Sequence, residues 1–576
     1  MFKEKYSFWL ESPYFDEATK EELRSIEKDE KEIEDRFYKD LEFGTGGLRG
    51  IIGAGSNRMN VYTVRKATQG LANYINQADE AGKNKGVAIA YDSRRMSPEF
   101  AKEAALVLNG NGIKTYVFES LRPTPELSYA VRHLGCIAGI VLTASHNPPE
   151  YNGYKVYWED GCQVPPPRDS EIIDEVNKVE DFEAIKVAKE EEAKAEGLFH
   201  IIGKEIDNLY IQQVKEQSIN AHIIKEVADD FTVVFTPLHG TGNLPVRRVL
   251  AEVGFKNVYV VPEQEKPDSD FSTVGYPNPE DPKAFTLALE LAKEKNADII
   301  VGTDPDADRV GVVVKNSQGD YVVLSGNMTG VLLADYIITQ KKEKGTLPAN
   351  GALIKTVVTT EMARAIANKN DIDLFEVLTG FKFIGEKIGE FEETGENTYL
   401  FGFEESFGYL AGTYARDKDA VVAAMLACEL AAYYKSKGMS LYEGLVSLYE
   451  KYGFYKETLR SITLKGVEGV QKIKSILEKL RNEPPVEVAG QKVMEARDYQ
   501  AGEILNIATK VVKPTNLPTS NVLYYKLENG WFCVRPSGTE PKVKFYFGVQ
   551  ADSDAEANEA LKALEDDIMG KIEKMI

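Results

Sequence analysis

Three aspartates occupy alternate positions in Asp304-Pro-Asp306-Ala-Asp308-Arg309, which follows the apolar run at 299–301 after Gly302 and Thr303. Carboxylates crowded this closely repel one another unless a cation joins them, and an all-oxygen donor set suits a hard ion such as Mg²⁺. An EF-hand for Ca²⁺ would need glycine at the sixth position and glutamate at the twelfth, where this chain has Arg309 and Lys315. A second apolar run, at 137–142, stops at Thr143, and Ser145 follows in a turn of small and turn-forming residues. Its hydroxyl should face a cleft. His146 adjoins it, but neighbours in sequence need not point together, and the flanks lack the Gly-x-Ser-x-Gly turn of the α/β-hydrolases. A serine hydrolase is disfavoured.

Two further loops carry polar groups in useful combinations. Gly402-Phe-Glu404-Glu405-Ser406-Phe-Gly408 offers carboxylates and a hydroxyl that could exchange hydrogen bonds with sugar hydroxyls, or cap a helix. Arg535-Pro-Ser537-Gly538-Thr539 joins a guanidinium, two hydroxyls and a glycine that lets backbone approach an anion, which suits a phosphate dianion, or equally a plain turn.

The elements that must carry these loops recur. A β-branched strand, a polar turn, an amphipathic helix and another strand follow one another at 86–119, at 231–261 and again at 351–380. Each repeat leads to one of the loops, ending at 148, 309 and 409, so the three loops are candidates for one shared site. Alternating strands and helices imply sheets with helices on both faces and ligand loops at strand ends. At 576 residues the chain is long enough for about four domains. The expected fold is three related α/β domains with mixed, mainly parallel sheets, plus a C-terminal α+β domain. The boundaries we expect are 1–205 with the Ser145 loop, 206–315 with the aspartate loop, 316–455 with the Glu404 loop, and 456–576 with the Arg535 loop. Residues 17–40 read as a charged helix, and 183–197 as a solvated helix joining the first two domains.

The charge balance narrows the partners. Against 69 lysines and arginines stand 91 aspartates and glutamates, a formal net charge of -22 that repels nucleic acid and anionic membranes. A local cationic cluster can still hold an anion, because screening confines charge effects to about 8 Å at physiological salt. The four cysteines are far apart, with no Cys-x-x-Cys pair, which fits buried thiols in a reducing compartment. No signal-peptide stretch opens the chain and no apolar run is long enough to span a bilayer, so a cytoplasmic protein is expected.

TASHNP, DPDADR, GFEESFG and RPSGTEP, in this order, resemble the α-D-phosphohexomutase superfamily. The FEESFGY form is most similar to phosphoglucomutases of the branch related to phosphopentomutase. The resemblance covers about residue 40 to the C-terminus and implies four domains around a central active-site cleft. It also implies an intramolecular phosphotransferase that interconverts glucose 1-phosphate and glucose 6-phosphate, with glucose 1,6-bisphosphate as intermediate and activator. Ser145 would be the phosphoserine, Asp304, Asp306 and Asp308 would hold Mg²⁺, and the serine phosphate would touch that ion. Glu404 and Ser406 match positions that bind sugar hydroxyls, while Arg535, Ser537, Gly538 and Thr539 match the loop gripping the phosphate not being transferred. Arg49, Lys155, His146 and Arg309 join the catalytic set, and Lys382 in TGFKFIG takes the place of a proposed general acid/base. The implied partners are small sugar phosphates, with neither nucleic acid nor membrane, and the protein is a monomer or a homodimer. Phosphopentomutase or phosphomannomutase activity would use the same mechanism. Two remote rivals are a haloacid-dehalogenase-like phosphatase with Asp304 as nucleophile, which leaves TASHNP without a role, and a non-catalytic sugar-phosphate sensor.

Overall fold

The computed structural model describes residues 2–42, 47–78, 82–464, 466–537 and 542–575. The fold divides into two compact units, each built from separate stretches of chain. Unit one comprises Met1–Thr329, Phe381–Gly402 and Ser406–Leu441, and unit two Gly330–Gly380, Phe403–Glu405 and Tyr442–Ile576.

In unit one, strands β1 (Gly47–Ile51), β2 (Val87–Tyr91), β3 (Thr115–Phe118), β4 (Ala138–Leu142), β5 (Tyr151–Trp158) and β6 (Phe199–Ile202) form a sheet of order β1-β5-β4-β2-β3-β6. β2 runs parallel to β3 and β4, whereas β5 is antiparallel to both β4 and β1. Continuous apolar runs such as Val87–Tyr91 suit strands covered on both faces. Leu71, Ile75, Phe100 and Leu108 from two helices pack with Val87, Ile89, Ile140 and Leu142 on one face. On the other face, Val131 and Leu127 of helix Thr124–Leu134 lie directly over Gly139.

A second sheet repeats the plan. β7 (Thr232–Thr236), β8 (Asn257–Val260), β9 (Ile299–Thr303), β10 (Val310–Lys315) and β11 (Tyr321–Val323) run in the order β11-β10-β9-β7-β8. β7 is parallel to β8 and β9, and β10 returns antiparallel to β9. The Ser145 loop between β4 and β5 and the aspartate loop between β9 and β10 therefore stand at the same topological position of two related sheets. Thr303 pairs with Val310, so residues 304–309 form the whole connection.

Unit two contains the parallel pair β12 (Gly351–Thr356) and β13 (Asp373–Val377). In chain order β14 (Thr398–Glu404) and then β15 (Gly408–Ala411), the latter in unit one, follow, with Glu405, Ser406 and Phe407 between them. The C-terminal part of unit two is an antiparallel sheet whose strands lie between Phe454 and Ala551. Its core joins Ile476 and Leu564 of two helices to Phe532 and Phe545. The mixed, mainly parallel α/β sheets and the C-terminal α+β region are thus as expected.

Two local expectations are corrected. Residues 17–40 hold two helices, Glu17–Ser25 and Glu30–Phe37, because Asp29 caps the second by accepting from the Glu32 N–H. The stretch 183–197 is not one solvated helix. The N–H groups of Lys186 and Ala188 donate outward to Gln69 Oε1 and Leu106 O, Ile185 is buried, and α-helix is confined to Glu190–Ala195, after a single 3-10 turn at Phe182–Ala184. All four cysteines are buried free thiols. Among the described residues, no helix is long and apolar enough to cross a membrane.

Candidate active site

Ser145 stands where β4 ends, with its backbone in the left-handed region at φ 51°. Thr143 holds that turn: its Oγ1 accepts from the Ser145 N–H at 2.8 Å and donates to Asp92 at 2.6 Å. The Ser145 hydroxyl donates to Asp304 Oδ2 at 2.6 Å. His146 Nδ1 is 3.2 Å from Ser145 Oγ, so the serine and histidine side chains do point together. Burial, together with the Arg309 cation, lowers the His146 pKa well below its usual range, which leaves a neutral imidazole beside the serine.

Asp304, Asp306 and Asp308 are buried, and each offers an oxygen within 4.8 Å of the others, a group able to hold a metal ion. Burial and the adjacent carboxyls of Asp306 and Asp308 push Asp304 well above the usual carboxylate range. For Asp308 burial acts in the same direction, but Lys155, Lys418 and Arg309 outweigh it and hold the group well below that range. Asp306 Oδ2 accepts from Thr124 Oγ1 at 2.9 Å and from Lys155 Nζ at 2.8 Å. Asp306 Oδ1 and Asp308 Oδ1 are buried with no hydrogen-bond partner among the described residues. Buried acceptors of this kind cost about 1–3 kcal/mol each unless a donor or cation reaches them. The donor set and its two open oxygens therefore fit a hard divalent cation. Gly240 lets a neighbouring loop reach the aspartates, since a Cβ there would lie 2.4 Å from the Pro305 backbone.

Register explains the cations. Arg49 on β1 pairs with Gly153 on β5, and Gly47 with Lys155, so Arg49 and Lys155 share a sheet face. Gly153 is required between them, because a Cβ would meet Thr143 O at 2.4 Å. Arg309 pairs with Glu280 and lies 3.8 Å from Asp308. The Phe407 carbonyl accepts from the Val310 N–H at 3.2 Å, which brings the residue after Ser406 to the end of the aspartate loop.

Lys382 belongs to unit one. It sits in helix Phe381–Thr394, its ammonium 3.4 Å from Asp169, and its carbonyl accepts from the Cys162 thiol. Besides Lys155, Lys418 stands beside the aspartates, 3.2 Å from Asp308. Sequence reasoning passed over Lys418, Thr124 and Arg94, whose guanidinium donates to the Ser145 carbonyl at 2.6 Å. Only a lysine flanked by two aspartates in Arg416-Asp-Lys418-Asp hinted at the first.

In unit two, Glu404 is buried at the end of β14 and Glu405 accepts from Thr356 Oγ1 at 3.3 Å. Arg535 lies on strand Gly530–Pro536 opposite Lys544. Burial raises the Tyr546 hydroxyl pKa, with Glu405 adding to the rise and Arg535 opposing it, so these three groups feel one another within the unit. The Ser537 N–H donates to Lys542 O at 2.7 Å. Gly538 and Thr539 lie outside the described residues.

Comparison with known proteins decides the family. Phosphoglucomutase/phosphomannomutase alpha/beta/alpha domains I, II and III match residues 40–183, 208–319 and 325–452, and the C-terminal domain of that family matches 477–567. The chain belongs to the phosphoglucomutase/phosphomannomutase family. It is thereby a member of the α-D-phosphohexomutase superfamily, whose enzymes are isomerases. A phosphoglucomutase of Staphylococcus saprophyticus is 36% identical over 537 residues, which cover 93% of this chain and 95% of that protein. One from Staphylococcus aureus is 36% identical over 547 residues, 94% of this chain and 96% of its own. Among solved structures, the Paramecium parafusin phosphoglucomutase in its open form superposes with a TM-score of 0.68 at 19% identity, over 93% of this chain and 95% of that one. A phosphoglucomutase/phosphomannomutase family protein of Burkholderia thailandensis gives 0.64 at 18%, over 93% and 98%. At such identities the structures show the shared fold. The phosphoglucomutase/phosphomannomutase domain I match contains Ser145, and the domain II match contains all three aspartates.

Proposed function

We propose that this phosphohexomutase interconverts glucose 1-phosphate and glucose 6-phosphate through phosphorylated Ser145. The observation that carries the reading is the Ser145 hydroxyl, 2.6 Å from Asp304 in a buried three-carboxylate group that Lys155 and Lys418 flank with positive charge. Asp304, Asp306 and Asp308 would hold Mg²⁺, which supplies charge to offset phosphate oxygens beside the serine. Arg49, Lys155 and Lys418 add fixed cations for the same charge, about -1.5 to -2 on a phosphoserine. In the first half-reaction the Ser145 Oγ–P bond breaks and a bond from the free sugar hydroxyl to phosphorus forms, giving glucose 1,6-bisphosphate. The hydroxyl's proton is lost to a base, and Ser145 Oγ regains one. The bisphosphate turns end for end, and its other phosphate returns to Ser145. Glu404 and Ser406 bind sugar hydroxyls, while Arg535, Ser537, Gly538 and Thr539 hold the phosphate that stays. The acidic chain and its buried thiols support a cytoplasmic setting.

A site built around particular hydroxyls penalises an analogue that leaves a buried group unpaired by about 1–3 kcal/mol, or roughly 5- to 150-fold. Glucose 1-phosphate should therefore exceed mannose 1-phosphate in kcat/KM by a factor in that range. The measurement is a coupled assay of glucose, mannose and ribose 1-phosphates with glucose 1,6-bisphosphate as activator. If ribose 1-phosphate exceeded glucose 1-phosphate tenfold, the enzyme would be a phosphopentomutase, with the serine chemistry intact.

Arg535→Ala should raise KM for glucose 1-phosphate about 10- to 100-fold, because a guanidinium makes paired, charge-assisted bonds to phosphate. Arg535→Lys should recover only part of that loss. Unchanged kinetic constants in both variants would remove Arg535 from the site.

A further inference from the structure

Arg94 lies just after β2, is 1% exposed, and spends its guanidinium on the Ser145 loop. Nη2 donates to the carbonyls of Ser145, at 2.6 Å, and of Asn147, while Nη1 donates to Pro148 O at 2.8 Å and Tyr151 O at 3.0 Å. One planar group thus ties together four carbonyls of the turn that holds Ser145 at φ 51°. Only one orientation of the plane serves all four, since the fork of donors is rigid. Asp92 approaches Nε at 3.3 Å from one edge. The face is covered by Phe271, whose ring centroid is 5.0 Å from the guanidinium carbon.

Phe271 comes from the part of the chain matching domain II, is fully buried, and has φ 46°, a conformation rare for a bulky side chain. Its loop is pinned on both sides. Asp268 accepts from the N–H groups of Asp270 and Ser272. Thr273 Oγ1 lies 2.8 Å from His239 Nε2 and accepts from Gln264 Nε2 at 3.1 Å. The surrounding bonds therefore impose the unusual backbone and aim the ring at Arg94.

We propose that Phe271 is a positioning residue for phosphoryl transfer: its ring face locks the Arg94 guanidinium in the orientation that reaches all four carbonyls, so a loop of the aspartate-bearing domain sets where the Ser145 oxygen stands. A desolvated cation against a ring face is held far more tightly than an exposed one. The proposal rests on the reading of Ser145 as the phosphate carrier. Arg95 and Asp270 join the same two loops by an exposed ion pair, which serves as an internal control.

The test compares Phe271→Leu, which keeps apolar volume but removes the ring face, with Asp270→Ala in the full chain. Phe271→Leu should lower kcat about 10- to 30-fold with KM within about threefold, and should slow phosphorylation of Ser145 by glucose 1,6-bisphosphate in parallel, followed by intact mass. Asp270→Ala should stay within about twofold of wild type. If Phe271→Leu did not fold, Arg94→Lys, which keeps charge but not the fork, carries the same readouts. A folded Phe271→Leu with wild-type kcat, or an equal loss in Asp270→Ala, would overturn the proposal. Wild-type enzyme that turns over without phosphate on Ser145 would instead remove the underlying phosphoserine reading, and the proposal with it.

Discussion

Ser145→Ala loses mutase turnover by about 10⁴-fold or more while the chain stays folded. Cleavage of phosphate monoesters is among the slowest uncatalysed reactions, needing up to ~10²¹-fold acceleration, so an enzyme that passes phosphate through a covalent carrier has little to fall back on without it. Loss of a covalent nucleophile in other enzymes costs about 10⁴ to 10⁶ in kcat. The structural cost is small by comparison. Alanine at φ 51° is no more strained than serine, and the lost hydrogen bond to Asp304 is worth about 1–3 kcal/mol. The melting temperature should therefore move by only a few degrees. Turnover is read in the coupled assay, and intact mass after incubation with glucose 1,6-bisphosphate should show one phosphoryl group on wild type and none on the variant. A variant that still turns over, or still takes up phosphate, places the carrier at another residue.

Removal of divalent metal should stop turnover by about 10³-fold or more, and Asp306→Ala should do the same with Mg²⁺ present. Asp306 is suited to this test because it is fully buried and has one oxygen without a hydrogen-bond partner among the described residues. The second readout is stability. A ligand bound to the folded chain alone adds about 2.7 kcal/mol at a hundred times its Kd, so Mg²⁺ should raise the melting temperature of wild type and leave that of Asp306→Ala unmoved. Full activity after verified metal removal, with no thermal shift on adding Mg²⁺, would leave the three carboxylates without their assigned role.

The chemistry-bearing loops were legible because a single residue run contains both the strand and the turn that ends it. Residues 299–303 are buried throughout and begin with an Ile-Ile-Val run, and the pairing of Thr303 to Val310 leaves no freedom for Asp304 to Arg309 to lie anywhere but the strand end. What local pattern could not supply was company from distant segments. Arg94 in Asp-Ser-Arg-Arg reads as surface charge, and only the approach of residues 145–151 shows why it is buried. Lys382 and Lys418 are equally plausible lysines in sequence. The chain after β15 carries Lys418 to Asp308, whereas the helix at 381–394 turns Lys382 toward Asp169. The 17–40 stretch was misread because charge continues through it, although Asp29 stops one helix and starts another.

The division of the chain also bears on synthesis. Ser145 and all three aspartates are translated before residue 330, yet unit one is not complete until Phe381–Gly402 and Ser406–Leu441 have emerged. Lys418, the late partner of Asp308, belongs to the last of these stretches. At about 5–20 residues per second a ribosome needs on the order of ten seconds to make the intervening chain. During that interval the buried carboxylates lack a cation they will later have, and the surfaces awaiting helix Ala420–Ser436 are open to nascent neighbours. A stalled chain ending near residue 330 would therefore be a client for chaperones, and no cut at that point would release a self-sufficient catalytic fragment.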